Sequence, residues 1–217
     1  MSFDVLDEHE QGEVVRKWLR ENAMSMVIGV GVGLLLIFGW QQWKLRGLRG
    51  QAEAAMQYQA FVDAADAKRA DDASKLAETL RKDHAKSPYP VFAALRQAET
   101  AVTAGNLDDA LGDLEWASKN TKTPALKALA DLRMAQVRLA QGNADAALGL
   151  LNAISKDVYT DLVNELRGDA LAALGRNDEA RTAYEQAMAS MDERSPSRTL
   201  VQMKLVNLST TSQKQNS

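Results

Sequence analysis

An uncharged run of 22 residues near the N-terminus, from Asn22 to Trp43, constrains this chain more than any other feature. Because a helix rises about 1.5 Å per residue, the run spans about 33 Å, which matches a hydrocarbon core of about 30 Å. It ends in Trp40 and Trp43, which are typical of an interfacial aromatic anchor, and a basic juxtamembrane linker follows over residues 44–53. We therefore predict one transmembrane helix over residues 23–43.

Three other interpretations of this run do not fit its length and composition. A cleaved signal peptide has a shorter apolar core and a small-residue cleavage site, and a buried core helix usually carries a polar stripe. The GxGxG spacing of Gly29, Gly31 and Gly33 would need a preceding strand and a helix start to bind a dinucleotide. Gly29 and Gly33 also form GxxxG, which lets membrane helices approach closely, although glycine is common in membrane helices in any case. For Gly29 and Gly33, close packing against another helix and the ordinary occurrence of glycine in membrane helices both stay open.

The charges beside the predicted membrane helix do not decide its orientation. Lys and Arg near the ends of such a helix set its topology, and three stand on each side: Arg16, Lys17, Arg20 and then Lys44, Arg46, Arg49. Residues 1–22 are predicted to hold an acidic head and a short amphipathic helix, whose apolar side comprises Val14, Val15, Trp18 and Leu19. Sequence physics thus leaves open which side of the membrane the large domain occupies.

The composition of the remaining chain narrows the class of partner. From Gly50 onward there are 20 Lys and Arg against 23 Asp and Glu, so there is no basic footprint for nucleic acid. The chain has no cysteine. This does not indicate the compartment of the domain, because a domain without disulfides can occur on either side of the membrane. Residues 54–208 are long enough for one domain with its own core. The polar segment 209–217 has no periodicity and is predicted to be disordered.

A turn with a fixed internal order recurs three times in this domain. Each copy has Gly at its first position, Asp three residues later and Ala five residues later, beginning at Gly105, Gly142 and Gly175. Gly adopts the left-handed conformation that ends a helix, and Asp caps the next helix and complements its dipole. Because helical periodicity runs through the whole domain and Pro stands only between helical stretches, we predict an all-α domain of antiparallel hairpins.

Small and large residues recur at fixed offsets around these turns. A small residue stands seven positions before each Gly, the turn Ala is small enough for two helices to cross closely, and a large residue stands nine positions after each Gly. The repeat-packing residues are Ala98, Gly105, Ala110, Ala135, Gly142, Ala147, Gly168, Gly175 and Ala180, and the large residues are Leu114, Leu151 and Tyr184. The turn alanines lie 37 and 33 residues apart, close to the tetratricopeptide period of about 34 residues.

The fold class that follows is all-α, with a single N-terminal transmembrane helix and then a tetratricopeptide-like α-solenoid. Residues 58–86 are predicted to form a degenerate first unit, and residues 197–208 a capping helix. The match is imperfect, because Asp131, Arg138, Asn164 and Arg167 fall where such repeats bury apolar side chains, which suggests that the first helices are rotated.

In the standard register, a candidate partner groove for a peptide or helix comprises Phe92, Leu95, Val102, Leu129, Leu132, Leu139 and Leu162. The alternative interpretation is that these residues are core.

The sequence offers no chemistry-bearing constellation. Catalysis needs convergent polar groups, but the chain has only His9 and His84 and lacks cysteine and a nucleophile elbow. The acidic pairs Asp71–Asp72 and Asp108–Asp109 stand at helix starts, where capping explains them. We therefore predict no enzyme activity, no catalytic residues, no cofactor and no metal site. A solenoid of helical hairpins is an interaction surface by default.

The whole arrangement resembles the YfgM family of bacterial inner-membrane proteins, and the resemblance covers nearly the full chain. Its most specific parts are the segment from EVVRKWLREN to the GWQQW that ends the membrane helix, residues 132–151, the run LRGDALAALGRNDEARTAYEQAM over residues 166–188, and the closing VQMKLVNLS.

This resemblance implies an orientation and a role that the residues alone do not give. It implies a single-pass inner-membrane protein with its head in the cytoplasm and its repeats in the periplasm. It also implies an ancillary subunit of the Sec translocon, working beside a membrane-anchored periplasmic chaperone of the PpiD type. The implied task is to pass newly translocated, unfolded secretory or outer-membrane proteins to periplasmic chaperones. A second implied role is stress-response regulation through the cytoplasmic head.

Two alternatives to the translocon role stay open. One is a generic membrane-anchored tetratricopeptide scaffold for envelope assembly, as in pilus biogenesis or cell division. The other is a cytoplasmic adaptor for chaperone C-terminal peptides, although such adaptors line their grooves with Lys and Arg and the candidate groove here is apolar.

Overall fold

The computed structural model describes the backbone of residues 8–215 and the side chains of residues 12, 13 and 15–208. Within these residues the chain is helical and contains no strand, which confirms the predicted fold class. The helices are α1 (Glu8–Asp66), α2 (Ala70–Asp83), α3 (Tyr89–Thr103), α4 (Leu107–Asn120), α5 (Pro124–Ala140), α6 (Ala144–Ala153), α7 (Thr160–Ala173), α8 (Asn177–Ser190) and α9 (Ser197–Gln215).

The chain divides into two compact units, one up to Glu53 and one from Ala54 onward. In the first unit, α1 contains an apolar segment of 18 residues with a mean hydropathy of 2.1. No part of this segment is buried by protein. Large apolar side chains such as Leu35 and Phe38 are 72% and 63% exposed there. Exposed apolar residues on all sides of a helix are stable only in lipid, so this helix anchors the protein in a membrane.

The boundaries inside the first unit remain predictions. The structure continues α1 without a break through residues 44–53, so the juxtamembrane segment is helical. The predicted acidic head lies in large part outside the described residues.

The second unit is built from helical hairpins whose predicted glycine turns all adopt the expected conformation. Gly105, Gly142 and Gly175 have φ values of 80°, 77° and 74°. In the first of these turns the N–H of Gly105 donates to the Val102 carbonyl at 3.0 Å, and the N–H of Asn106 donates to the Ala101 carbonyl at 2.8 Å. The other two turns repeat both bonds. This pair of bonds is the Schellman motif, which satisfies the last carbonyls of a helix.

A fourth turn of the same kind, at Lys68, was missed by the sequence analysis. Lys68 ends α1 with a φ of 55°, and its N–H donates to the Ala65 carbonyl while that of Arg69 donates to the Ala64 carbonyl. Asp71 and Ala73 stand three and five residues later, as in the glycine turns. The predicted degenerate first unit therefore has the full turn pattern with Lys in the place of Gly.

The small and large positions of each hairpin pack against each other. Ala98 and Leu114 share one core cluster, and Ala135 and Leu151 share another. In the third hairpin, a Cβ built on Gly168 would lie 2.8 Å from Cζ of Tyr184 and closer still to Cδ1 and Cε1. The degenerate first repeat, residues 58–86, has the large residue first and the small residue second. Phe61 on α1 is in one cluster with Ala77 on α2. Each hairpin thus combines one small and one large side chain, 16 residues apart.

Two of the polar residues that fall at apolar repeat positions lie inside the domain. Asp131 and Asn164 are buried, at 6% and 8% exposure. Asp131 accepts hydrogen bonds from Ser118 Oγ and Lys127 Nζ, both at 2.6 Å. Because these partners replace water, Asp131 can stay buried, and the rotation of these helices relative to the standard repeat remains a prediction.

The last helix departs from two expectations. It extends to Gln215, so residues 209–215 are helical where disorder was predicted, since no Gly or Pro interrupts the helix after Ser197. Val201 and Leu208 bury one side of α9 against α8. A capping helix usually presents a polar outer face, but here the outer side carries three exposed apolar residues, Leu200, Met203 and Val206.

Candidate interaction surface

The structure distributes the seven predicted groove residues between core and surface. Leu132 is 3% exposed and belongs to a core cluster with Ala135 and Leu151, so its assignment to a groove is wrong. It faces α6 and α7, where repeat packing fills the space beside it. Phe92, Leu95, Leu129 and Leu139 are partly buried. Val102 and Leu162 are exposed, at 44% and 38%.

Two of the predicted residues come together in a pocket between α3 and α5. Leu95 and Val102 line a cavity of about 170 Å³, whose apolar wall also includes Ala98, Leu114 and Val137. Its polar lining residues include Glu99 of α3 and Arg133 and Gln136 of α5. An apolar floor with a mixed polar rim is suited to an apolar side chain of a bound polypeptide. We refer to it as the α3–α5 pocket.

The ring of Phe92 packs against two aromatic rings of the same domain. Its ring centroid lies 6.1 Å from that of Tyr58 and 6.3 Å from that of Tyr89. Such edge and tilted contacts stabilise aromatic clusters. Phe92 therefore joins α1 to α3, and the exposed part of the predicted groove begins at Leu95.

A charged cluster that the sequence pattern did not predict joins α7, α8 and α9. Lys204 Nζ lies 2.9 Å from Oε1 of Glu165 and 2.7 Å from Oδ1 of Asp169. The Tyr184 hydroxyl donates to the same Asp169 oxygen at 2.7 Å. The four residues bind the last helix to the third hairpin. The only sequence signal for this cluster is the spacing of Glu165 and Asp169, which puts both carboxylates on one face of α7.

The environment of this cluster shifts the pKa values of two of its members. Burial, assisted by the hydrogen bond to Asp169, raises the pKa of the Tyr184 hydroxyl. Burial alone would lower the pKa of Lys204, but its hydrogen bonds to Asp169 and Glu165 outweigh burial and raise that pKa. Lys204 is therefore charged and Tyr184 neutral at any physiological pH.

The membrane-helix glycines are open to a partner. A Cβ built on Gly29 or Gly33 would meet no atom within 4 Å. The GxxxG spacing therefore remains available for close packing against another helix, and contact at this face remains a prediction.

The described residues contain no group of three or more His, Asp or Glu side chains that could hold a metal ion. His84 ends α2, where its backbone N–H donates to the Leu80 carbonyl at 3.1 Å. His9 lies outside the residues whose side chains are described. The described residues do form an apolar pocket with a polar rim on stacked hairpins, and a role for it in binding remains a prediction.

Comparison with known proteins identifies the family. The model of a tetratricopeptide repeat-like domain matches residues 16–210, a range that includes the membrane helix. A relative in Escherichia coli strain K12, named ancillary SecYEG translocon subunit, is 31% identical over 203 residues, which cover 94% of this chain and 97% of that protein. Relatives of the same name occur in Haemophilus influenzae, at 26% identity over 96% of this chain and 100% of that protein, and in Neisseria gonorrhoeae, at 32% over 88% and 89%.

The range of the family model includes the membrane helix, the glycine turns and most of the last helix. These matches confirm the resemblance that the sequence suggested. The chain belongs to the YfgM family, whose members in these three bacteria are named ancillary SecYEG translocon subunits.

Proposed function

We propose that this chain is a non-enzymatic ancillary subunit of the Sec translocon, which passes newly translocated proteins to periplasmic chaperones. The observation that carries the proposal is the match to translocon subunits along almost the entire length of both proteins, anchor included. A shared repeat domain alone would support only a shared fold. The proposed partners are translocon subunits, a membrane-anchored chaperone of the PpiD type and unfolded secretory or outer-membrane proteins.

In the proposed topology the head is cytoplasmic and the domain from Ala54 onward is periplasmic. The absence of cysteine makes this directly testable, because a single cysteine introduced at Lys122, on an exposed loop, is the only thiol in the chain. We expect a membrane-impermeant maleimide to label this cysteine in spheroplasts. Labelling only after the inner membrane is permeabilised would contradict the topology.

The mechanism we propose is local concentration. One membrane helix holds the repeat domain near the channel exit, so that a client meets a binding surface at high effective concentration without tight affinity. The α3–α5 pocket supplies apolar contact for an unfolded segment, and its small size suits transient binding of one side chain at a time. If the domain from Ala54 onward, secreted without its anchor, fully complemented a deletion, tethering would not be the mechanism.

The hand-over itself is tested by crosslinking from two surfaces of the repeat domain. A photoreactive residue at Val102, in the α3–α5 pocket, is compared with one at Lys119, which is exposed on α4. We expect client and chaperone adducts from Val102 and few from Lys119. Adducts only with pilus or division proteins would instead favour the scaffold for envelope assembly.

The regulatory role of the head is a separate part of the proposal. It concerns residues most of which lie outside the described part of the chain, and it rests on the family resemblance alone. Deletion of residues 1–12 should change the envelope stress response while leaving the crosslinks from Val102 intact.

A further inference from the structure

We propose that a second pocket, formed by the α6–α7 loop with α7 and α8, binds a carboxylate group of a polypeptide together with an aliphatic side chain beside it. The pocket has a volume of about 230 Å³. One wall is apolar, with Ile154, Val158 and Val163, and the other is polar, with Lys156, Asn164 and Arg167. None of the residues that line it is acidic.

No carboxylate of the described residues balances the charge of Arg167. Its Nε donates to Asn152 Oδ1 at 3.1 Å, its Nη1 to Asn164 Oδ1 at 2.7 Å, and its Nη2 to the Leu151 carbonyl at 3.4 Å. All three acceptors are neutral, and no described Asp or Glu oxygen lies within 4.0 Å of the guanidinium nitrogens. A guanidinium has five N–H donors, so two remain for a ligand. A partly buried cation held only by neutral groups is completed most favourably by an anion.

Asn164 adds a hydrogen-bond donor that no described protein group uses. This residue is only 8% exposed, and it lines the pocket. Its Oδ1 is occupied by Arg167, which fixes the orientation of the amide, and no described group accepts a hydrogen bond from its Nδ2. An oxygen of a bound carboxylate would accept a hydrogen bond from Asn164 Nδ2 and from Arg167 at the same time.

Lys156 places a second positive charge at the pocket. Its side chain is exposed, and its carbonyl accepts a 2.7 Å hydrogen bond from Thr160 Oγ1 at the start of α7. The positive end of the α7 dipole adds to this field. Asp157 and Asp161 lie on the same segment but are not among the residues that line the pocket.

The apolar wall determines the class of ligand. Ile154 and Val163 are 7% and 5% exposed, so the wall is part of the core and fixed in place. An inorganic anion would leave this wall without contact, whereas a polypeptide segment can place a carboxylate on Arg167 and an aliphatic side chain on Ile154. The volume suits one or two side chains, so the ligand is a short segment of an extended chain.

This inference goes beyond the proposed function, since it requires no translocon and concerns a surface other than the α3–α5 pocket. Its test can therefore fail while translocon association stands, and the reverse also holds.

The chain contains a built-in probe for this pocket. Of its three isoleucines, Ile28 and Ile37 lie in the membrane helix and only Ile154 lies in the repeat domain. The full chain, with ¹³C-labelled isoleucine methyl groups, is placed in nanodiscs and titrated with acetyl-Ala-Leu-Glu-Ala-amide and with the matched Gln peptide. A third peptide, acetyl-Ala-Leu with a free C-terminal carboxylate, distinguishes a terminal carboxylate from a side-chain carboxylate. Inorganic phosphate tests a bare anion.

We expect at least one of the two carboxylate peptides to shift the Ile154 signal while Ile28 and Ile37 stay in place, with the Gln peptide binding at least about fivefold more weakly. Arg167→Gln should weaken binding about tenfold or more, and Lys156→Gln about threefold. Lys122→Gln, on the corresponding loop of the preceding hairpin, should have no effect.

The proposal is overturned if the Gln peptide binds as well as the Glu peptide and the free-carboxylate peptide does not bind. It is also overturned if phosphate shifts Ile154 with the same affinity as the peptides. Because Arg167 also bonds to the protein, loss of binding in Arg167→Gln counts only if its circular dichroism spectrum is unchanged. The Lys156 side chain makes no such bond to the described part of the protein, so Lys156→Gln is free of this complication. If neither Lys156→Gln nor Arg167→Gln changed the affinity for the peptides, the proposal would also be overturned.

Discussion

Gly168 on α7 lies directly against the ring of Tyr184 on α8, with no room for a Cβ between them. The two preceding hairpins have Ala against Leu at these positions, and the first has Phe61 against Ala77. Each hairpin thus keeps one small and one large residue, but the pairs are not interchangeable one residue at a time. This complementarity explains how the hairpins of this chain differ at these positions and keep the same packing.

Gly168→Ala should destabilise the third hairpin. Overpacking costs about 1–3 kcal/mol, and the gain in helix propensity offsets about 1 kcal/mol of it. In the Tyr184→Leu background the same change should stabilise the chain, because it restores the Ala–Leu pair of the other hairpins. Urea unfolding of the full chain in nanodiscs, followed by circular dichroism, measures both. An equal effect of Gly168→Ala in the two backgrounds would contradict the packing argument.

Lys68→Gly should stabilise the degenerate first repeat, residues 58–86. Lys68 adopts a φ of 55°, which costs an L-residue about 1–2 kcal/mol and costs Gly almost nothing. The greater freedom of Gly in the unfolded chain removes part of the gain, so we expect about 0.5–1 kcal/mol. Lys68→Ala is the matched control, because Ala has the same steric penalty and should give no gain. A similar gain from both substitutions would point to the loss of charge instead.

The cluster around Lys204 should make the protein sensitive to alkaline pH. The pKa values of Lys204 and Tyr184 are both raised in the folded chain, so each binds its proton more tightly folded than unfolded. Their contribution to stability is therefore complete below a pH of about 10 and declines as the pH rises above that value. We expect the parent to lose more stability between about pH 9 and pH 11 than a Lys204→Met, Tyr184→Phe variant does. Parallel pH profiles for the two proteins would refute this assignment.

Leu132 and Val102 should respond differently to truncation, although the sequence assigned both to one groove. Leu132→Ala should cost about 2–5 kcal/mol of unfolding free energy, because Leu132 is buried in the core. Val102→Ala should change stability by less than about 1 kcal/mol, because Val102 is 44% exposed. Val102→Ala should instead reduce client crosslinking. Equal destabilisation by the two changes would mean that Val102 is also core.

The sequence predicted those features that depend on local conformation and periodicity. The glycine turns follow from the left-handed conformation that Gly adopts, and the membrane helix follows from its length and lack of charge. The turn at Lys68 was missed because Lys rarely adopts this conformation, although Asp71 and Ala73 carried the rest of the pattern. The Lys204 cluster could not be predicted, since Glu165 and Lys204 meet only when α9 packs on the third hairpin.

The partner groove remains a prediction, because the tetratricopeptide register predicts which side of a helix a residue lies on but not whether the next hairpin covers it. Leu95 and Val102 line the α3–α5 pocket, whereas Leu132, at the position in α5 that corresponds to Leu95, is covered by the next hairpin. The Arg167 pocket was also missed, because Arg167 was interpreted only as a departure from an apolar pattern. A residue that breaks the repeat pattern was in this instance the lead to a candidate site.

Crosslinking from the membrane helix tests translocon association most directly. A photoreactive residue is placed at Gly33, on the face shared with Gly29, and in a second strain at Leu35, on the opposite face of the helix. We expect adducts with SecYEG subunits in vivo, and more from Gly33 than from Leu35. Adducts with envelope-assembly proteins alone, or no SecYEG adduct from either position, would contradict translocon association.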